Sequence, residues 1–170
     1  MPARWTTADI PCRWLFWAVM RRAALPWLWS FRWRCACRTP QQAAALLRVL
    51  NMAKVRHMSA IIGLAEEEGA EAFFSALETG LTPEEQKKDK STMPGMSENP
   101  FDKVYLVTPA GGDDEMTARL TEKAKYHFDA EMCTSIAEAV ELAHANTRRG
   151  LLVCGGEAAA LEAAELLVNS

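Results

Sequence analysis

Two glycine pairs, Gly111-Gly112 and Gly155-Gly156, each follow a short apolar run and precede an amphipathic stretch. That is the setting in which backbone amides at a helix N-terminus receive a phosphate. Neither pair extends to Gly-x-Gly-x-x-Gly, and no Gly-x-x-x-x-Gly-Lys-Ser/Thr loop occurs in the 170 residues. Glu157 sets a negative charge directly after the second pair, so Gly155-Gly156 is read as a tight turn rather than an anion cradle. Five cysteines, Cys12, Cys35, Cys37, Cys133 and Cys154, are an odd number at irregular spacing. They are read as thiols. Cys35 and Cys37 are one residue apart, which is not the spacing of a zinc knuckle, and no second pair completes four ligands, so no metal site is assigned. Cys133 and Cys154 lie in apolar runs, where a thiol acts as a small buried hydrophobe. His57, His127 and His144 fall on separate elements with no Ser-His-Asp or Cys-His pairing. Each is read as a surface histidine, and no catalytic residue is assigned.

The elements that would position these residues are legible in the second half of the chain. Lys103 to Pro109 is rich in β-formers and is stopped by Pro109 and the glycine pair after it. Asp113 or Asp114 then caps a helix running to about Tyr126, with Met116 and Leu120 facing inward. A short strand near Ala130 to Cys133 follows, and Ser135 caps a helix in which Ile136, Val140 and Ala143 recur at helical spacing. Gly150 opens the strand Leu151 to Cys154, and a helix is expected from Glu157 to Val168. Upstream, Thr39 as N-cap with Pro40 at the first helical position opens a helix through Leu50. Met58 to Leu64 reads as a buried parallel strand. Ala70 to Leu77, with Phe73, Phe74 and Leu77 on one face, reads as an amphipathic helix. Alternating strands and helices of these lengths specify a Rossmann-like α/β fold, a three-layer parallel-sheet sandwich with right-handed crossovers. Its ligand end would lie at Gly63-Leu64, Thr108 to Gly112 and Gly155-Gly156.

Composition divides the chain in two. All six tryptophans lie within the first 33 residues. Residues 1–38 hold seven arginines against the single acid Asp9, a balance of +6 that leaves −9 of the formal −3 for the remainder. The expected organisation is therefore a basic Trp/Arg-rich leader over 1–38, poorly ordered, irregular or helical, and an α/β domain over 39–170. Residues 79–100, rich in Gly, Pro, Ser and mixed charge, are expected to form a flexible insertion with too few apolar groups to fold. Within the leader, Arg13, Arg21, Arg22 and Pro26 interrupt the apolar stretch from Ile10 to Phe31, which argues against a membrane span. The Arg-rich, acid-poor pattern suits mitochondrial or plastid targeting, although serine is scarce; otherwise a cytoplasmic protein is expected. Aromatics among basic residues would also suit single-stranded nucleic acid or a membrane interface, but no fold signature supports either partner. A mistaken gene model or altered splice would also account for so abnormal a composition.

Thr39-Pro40-Gln41-Gln42-Ala43-Ala44-Ala45-Leu46-Leu47, the glycine-ended strand Met58 to Leu64, the insertion, Val104 to Pro109, and Leu151 to Gly156 stand in a telling order. Together they resemble the carboxyl-terminal domain of the Mur ligase superfamily, in particular that of folylpolyglutamate and dihydrofolate synthases, over about residues 39–170. The resemblance implies the sandwich already read from the periodicity and an ATP-dependent, amide-bond-forming activity in folate metabolism for the full-length family, with ATP and magnesium as its cofactors. Cys35-Ala36-Cys37-Arg38 stands where the family carries Asp-Gly-Ala-His, and Ala65-Glu66-Glu67-Glu68 stands where it carries Lys-Asp. Only Thr39 and Pro40 remain of the family's nucleotide-binding turn, and they are the cofactor-binding candidates. Acyl-phosphate chemistry needs γ-phosphate, Mg²⁺ and a cationic clamp held in line. The chain alone is therefore expected to bind no cofactor and to be inactive, with a separate ATPase domain or a small molecule as its partner. Two other readings stay open: a non-catalytic α/β ligand-binding or regulatory module, and a membrane- or nucleic-acid-binding protein acting through its leader.

Overall fold

A computed structural model describes residues 31–35, 37–88, 99–146 and 150–156, together with 158, 159, 161, 162 and 166. Among these residues, five parallel strands form one sheet: β1 (Phe31–Cys35), β2 (Met58–Gly63), β3 (Phe101–Val107), β4 (Ala130–Cys133) and β5 (Gly150–Gly155). Their spatial order is β1-β5-β2-β3-β4. β5 thus inserts between β1 and β2, pairing Trp33 with Leu152 on one side and Ala60 with Leu152 on the other.

The helices are α1 (Pro40–Met52), α2 (Ala70–Thr79), α3 (Pro83–Lys88), α4 (Asp114–Ala124) and α5 (Ile136–Asn146). Strand residues point alternately to the two faces of a pleated sheet. Ala60, Ile62, Val104, Leu106, Leu152 and Cys154 accordingly share one core with α1, α2 and α4. Ile61, Tyr105, Val107, Leu151 and Val153 share the other with α5 and Ala159. The result is the three-layer α/β sandwich expected from the periodicity. β2 and β5 are buried at every position, as continuous apolar runs in a doubly covered sheet should be.

Local sequence explains the helix starts. Thr39, in extended conformation, accepts from the Gln42 amide while the Gln42 side chain accepts from the Thr39 amide, and Pro40 occupies the first turn. This capping box satisfies two donors that the helix cannot. Asp113 caps α4 by accepting from the Glu115 amide at 3.0 Å. Gly80 closes α2 in left-handed conformation, its amide donating to Ala76 O. Cys37, Cys133 and Cys154 are buried thiols.

Two expectations are corrected. Residues 31–35, assigned by composition to an irregular or helical leader, are strand β1, hydrogen-bonded in register along β5 from Phe31↔Gly150 to Cys35↔Cys154. Residues 83–88, assigned to the flexible insertion, form helix α3. Thr82 and Glu85 make a second capping box, Gln86 Nε2 donates to Ser75 Oγ, Thr79 Oγ1 and Leu81 O, and Arg48 pairs with Glu85 at 2.6 Å. Polar contacts hold α3, and none of its residues is buried; a count of apolar groups therefore missed it. Residues 1–30 and 89–98 lie outside the described residues, as does most of the helix expected from Glu157 to Val168, of which the five described residues are helical.

Candidate functional site

In an open parallel sheet, ligands lie at the carboxyl ends of the strands where neighbouring connections leave to opposite faces. Here β1 and β2 lead into α1 and α2 on one face, whereas β5, between them, leads towards Ala159 on the other. At this point the backbone amides are already engaged. The Gly155 amide donates to Cys37 O at 2.9 Å, and the Gly156 amide donates to Gly63 O at 2.9 Å. Gly155 adopts φ 123°, and a Cβ on it would fall 2.2 Å from Gly63 O. Across the same point, a Cβ on Gly63 would fall 2.7 Å from the Ala159 Cβ. The glycines allow the ends of three strands and the chain after β5 to meet. Their amides, the groups a phosphate would need, already donate within the protein. Gly155 ends β5, and Glu157, on which the reading of Gly155-Gly156 as a tight turn rests, lies outside the described residues.

The second crevice lies between β3 and β4, which lead into α4 and α5 on opposite faces. Gly111 takes φ 78°, and Gly112 donates to Pro109 O at 2.8 Å, forming a turn. Thr108 Oγ1 donates to Asp114 Oδ1 at 2.6 Å and lies 2.9 Å from Thr117 Oγ1. The first turn of α4 carries Asp114 and Glu115 after the Asp113 cap, so its positive end is already faced by carboxylates. Opposite, Glu138 accepts from the Thr134 amide at 2.7 Å and from its hydroxyl at 2.6 Å. Those bonds hold the Glu138 carboxyl below the usual carboxylate range. Burial, followed by the nearby Glu138 and Glu131 charges, pushes the Cys133 thiol up to about 11. A thiol in that state is a poor nucleophile at neutral pH.

Thr39 and Pro40 sit at the carboxyl end of β1, beside the Cys37 carbonyl that receives Gly155. Both the amide and the hydroxyl of Thr39 are engaged in the capping box. The three histidines are not brought together. His57 has φ 58° and lies 3.2 Å from Asp102, and His144 is on α5. His127 departs from the surface reading: its side chain is only 13% exposed and lies between Glu71 and Glu78. Among the described residues, no three His, Cys, Asp or Glu side chains come together to hold a metal ion, and no helix is long and apolar enough to cross a membrane. A nucleotide phosphate needs free amides or cations converging on one point. The engaged glycine amides and the acidic start of α4 do not fit it.

No protein-family model matches the sequence, and no curated protein matches it. The fold does match solved structures. Mycobacterium tuberculosis folylpolyglutamate synthase complexed with ADP and AMPPCP aligns with a TM-score of 0.59 and 18% identity, over 79% of this chain and 29% of that one. The same enzyme complexed with ADP gives 0.57 and 17%, over 82% and 30%. Thermotoga maritima folylpolyglutamate synthase gives 0.56 and 19%, over 81% and 28%. The chain thus spans less than a third of the length of each of these proteins. At such identities the likeness establishes the fold, and the fold is the one the sequence resemblance implied.

Proposed function

We propose that this chain is the counterpart of the carboxyl-terminal domain of a folylpolyglutamate or dihydrofolate synthase type ligase, and that it is inactive by itself. The observation that carries the proposal is the alignment of its five-stranded parallel sandwich with folylpolyglutamate synthases over about four-fifths of its length. Function lives in the site rather than the fold, and among the described residues the carboxyl ends of this sheet present engaged glycine amides and a thiol pushed up by burial. ATP and magnesium belong, in this reading, to a separate ATPase domain that would be the chain's partner in a cytoplasmic or organellar setting. Thr39 and Pro40 would border that partner's nucleotide as backbone, with Thr39 Oγ1 kept on the Gln42 amide.

Incubation of the purified full chain with ATP, glutamate and a reduced folate tests the reading. No glutamylated product and no ADP above a protein-free control are expected. Turnover by the chain alone would overturn the claim of inactivity.

A further inference from the structure

His127 follows the last turn of α4, its amide donating to Ala124 O at 3.0 Å. The ring packs near Phe74 and Phe128, at centroid distances of 6.4 and 6.1 Å. Its Nδ1 lies 2.6 Å from Glu78 Oε2 and its Nε2 lies 3.1 Å from Glu71 Oε1. Both carboxylates come from α2. A neutral imidazole has one N–H and one lone pair, so it can donate to only one of them and must turn a lone pair towards the other. Only the imidazolium donates to both.

The rest of this seam is ion-paired. Glu67, just before α2, pairs with Arg119 at 3.0 Å and Lys123 at 2.7 Å on α4. Acids line the α2 side and bases the α4 side, and histidine is the base whose unperturbed titration falls near neutral pH. Among the described residues, the charged side chains beside it in sequence have partners of their own: Lys123 pairs with Glu67, Lys125 with Glu122, and Asp129 with Lys103.

We infer that His127 is a proton-operated latch, which when protonated clamps both ends of α2 to the end of α4 and when neutral releases one of the two carboxylates. The latch acts on α2, the helix that leaves the carboxyl end of β2 through residues 64–69, so its release loosens the chain beside the glycine junction. It does not depend on the ligase reading. Burial alone draws the imidazole down, but hydrogen bonds to Glu78 and Glu71, and then their charges, outweigh it and leave its pKa raised. The folded-state value lies above the unfolded one. The latch's stabilisation is therefore complete below the ordinary histidine range and is lost as pH rises through the raised value.

The test follows the His127 ring resonances of the full chain between about pH 5 and about pH 8, together with amide protection factors in α2 corrected for intrinsic exchange. Expected are a His127 midpoint above the ordinary histidine value, a fall in α2 protection through that midpoint, and loss of this pH dependence in His127→Gln. Glu78→Gln should lower the His127 midpoint, and it serves equally if His127→Gln does not fold. Flat α2 protection in the wild type, or an unchanged midpoint in Glu78→Gln, would overturn the inference.

Discussion

The α-carbon of Gly155 faces the backbone of Gly63 so closely that a Cβ on Gly155 would fall 2.2 Å from the Gly63 carbonyl oxygen. The two glycines lie on paired strands, in register as Gly63↔Gly155, at the sheet end where a doubly wound fold usually opens a site. Gly155→Ala combines a direct backbone clash with a positive φ, and should cost roughly 2–4 kcal/mol in urea unfolding. Gly156→Ala, whose Cβ would meet nothing nearer than 3.8 Å among the described residues, should cost under about 1 kcal/mol. Equal losses would contradict the geometry.

Removal of residues 1–38 should do more than remove a basic leader. β1 gives β5 one of its two partners, and its loss uncovers a strand that is buried at every position. An unpaired apolar edge of that kind promotes aggregation. Size-exclusion chromatography of a chain beginning at Thr39 should show aggregate or loss of cooperative unfolding, whereas a monomer as stable as the full chain would show that β1 does not support β5.

Much of this was legible in the sequence, and what was missed has physical reasons. Strands β2, β3 and β5 announce themselves as apolar runs ended by glycine or proline, and α1 by Thr39-Pro40. β1 does not, because the period-two alternation of Phe31-Arg32-Trp33-Arg34-Cys35 spans only five residues inside an arginine- and tryptophan-rich segment. α3 did carry a signal: Thr82-Pro83-Glu84-Glu85 is the same capping pattern as Thr39-Pro40-Gln41-Gln42. At the site, the missing motifs were visible from residue types alone. That the Gly155 and Gly156 amides are engaged was not, because their acceptors, Cys37 and Gly63, are distant in sequence. The setting of His127 was equally hidden, since Glu71 and Glu78 reach it from another helix.

The two capping boxes make separable predictions. Thr39→Ala should cost about 1 kcal/mol of global stability, since α1 buries Leu46, Leu47 and Leu50 in the main core. Thr82→Ala frees only α3, which buries nothing. It should leave the global unfolding midpoint within about 0.5 kcal/mol of wild type while speeding proteolysis near residues 83–88. A large global loss from Thr82→Ala would mean that α3 is integral to the core.

Cys133 should be inert in the native protein. With its thiol pushed up to about 11 by burial and neighbouring carboxylates, the thiolate is scarce at about pH 8. Iodoacetamide labelling read by mass spectrometry should leave Cys133 unmodified in the native chain and label it fully in denaturant. Rapid native labelling would show that the β4 end is open and reactive.

That the described part of the sheet's carboxyl edge offers no free phosphate grip is reported most directly by the amide resonances of Gly63, Gly112, Gly155 and Gly156. Titration of the full chain with ATP and magnesium should leave all four unshifted, whatever the basic leader does with the nucleotide. Saturable shifts at Gly155 and Gly156 would contradict the account.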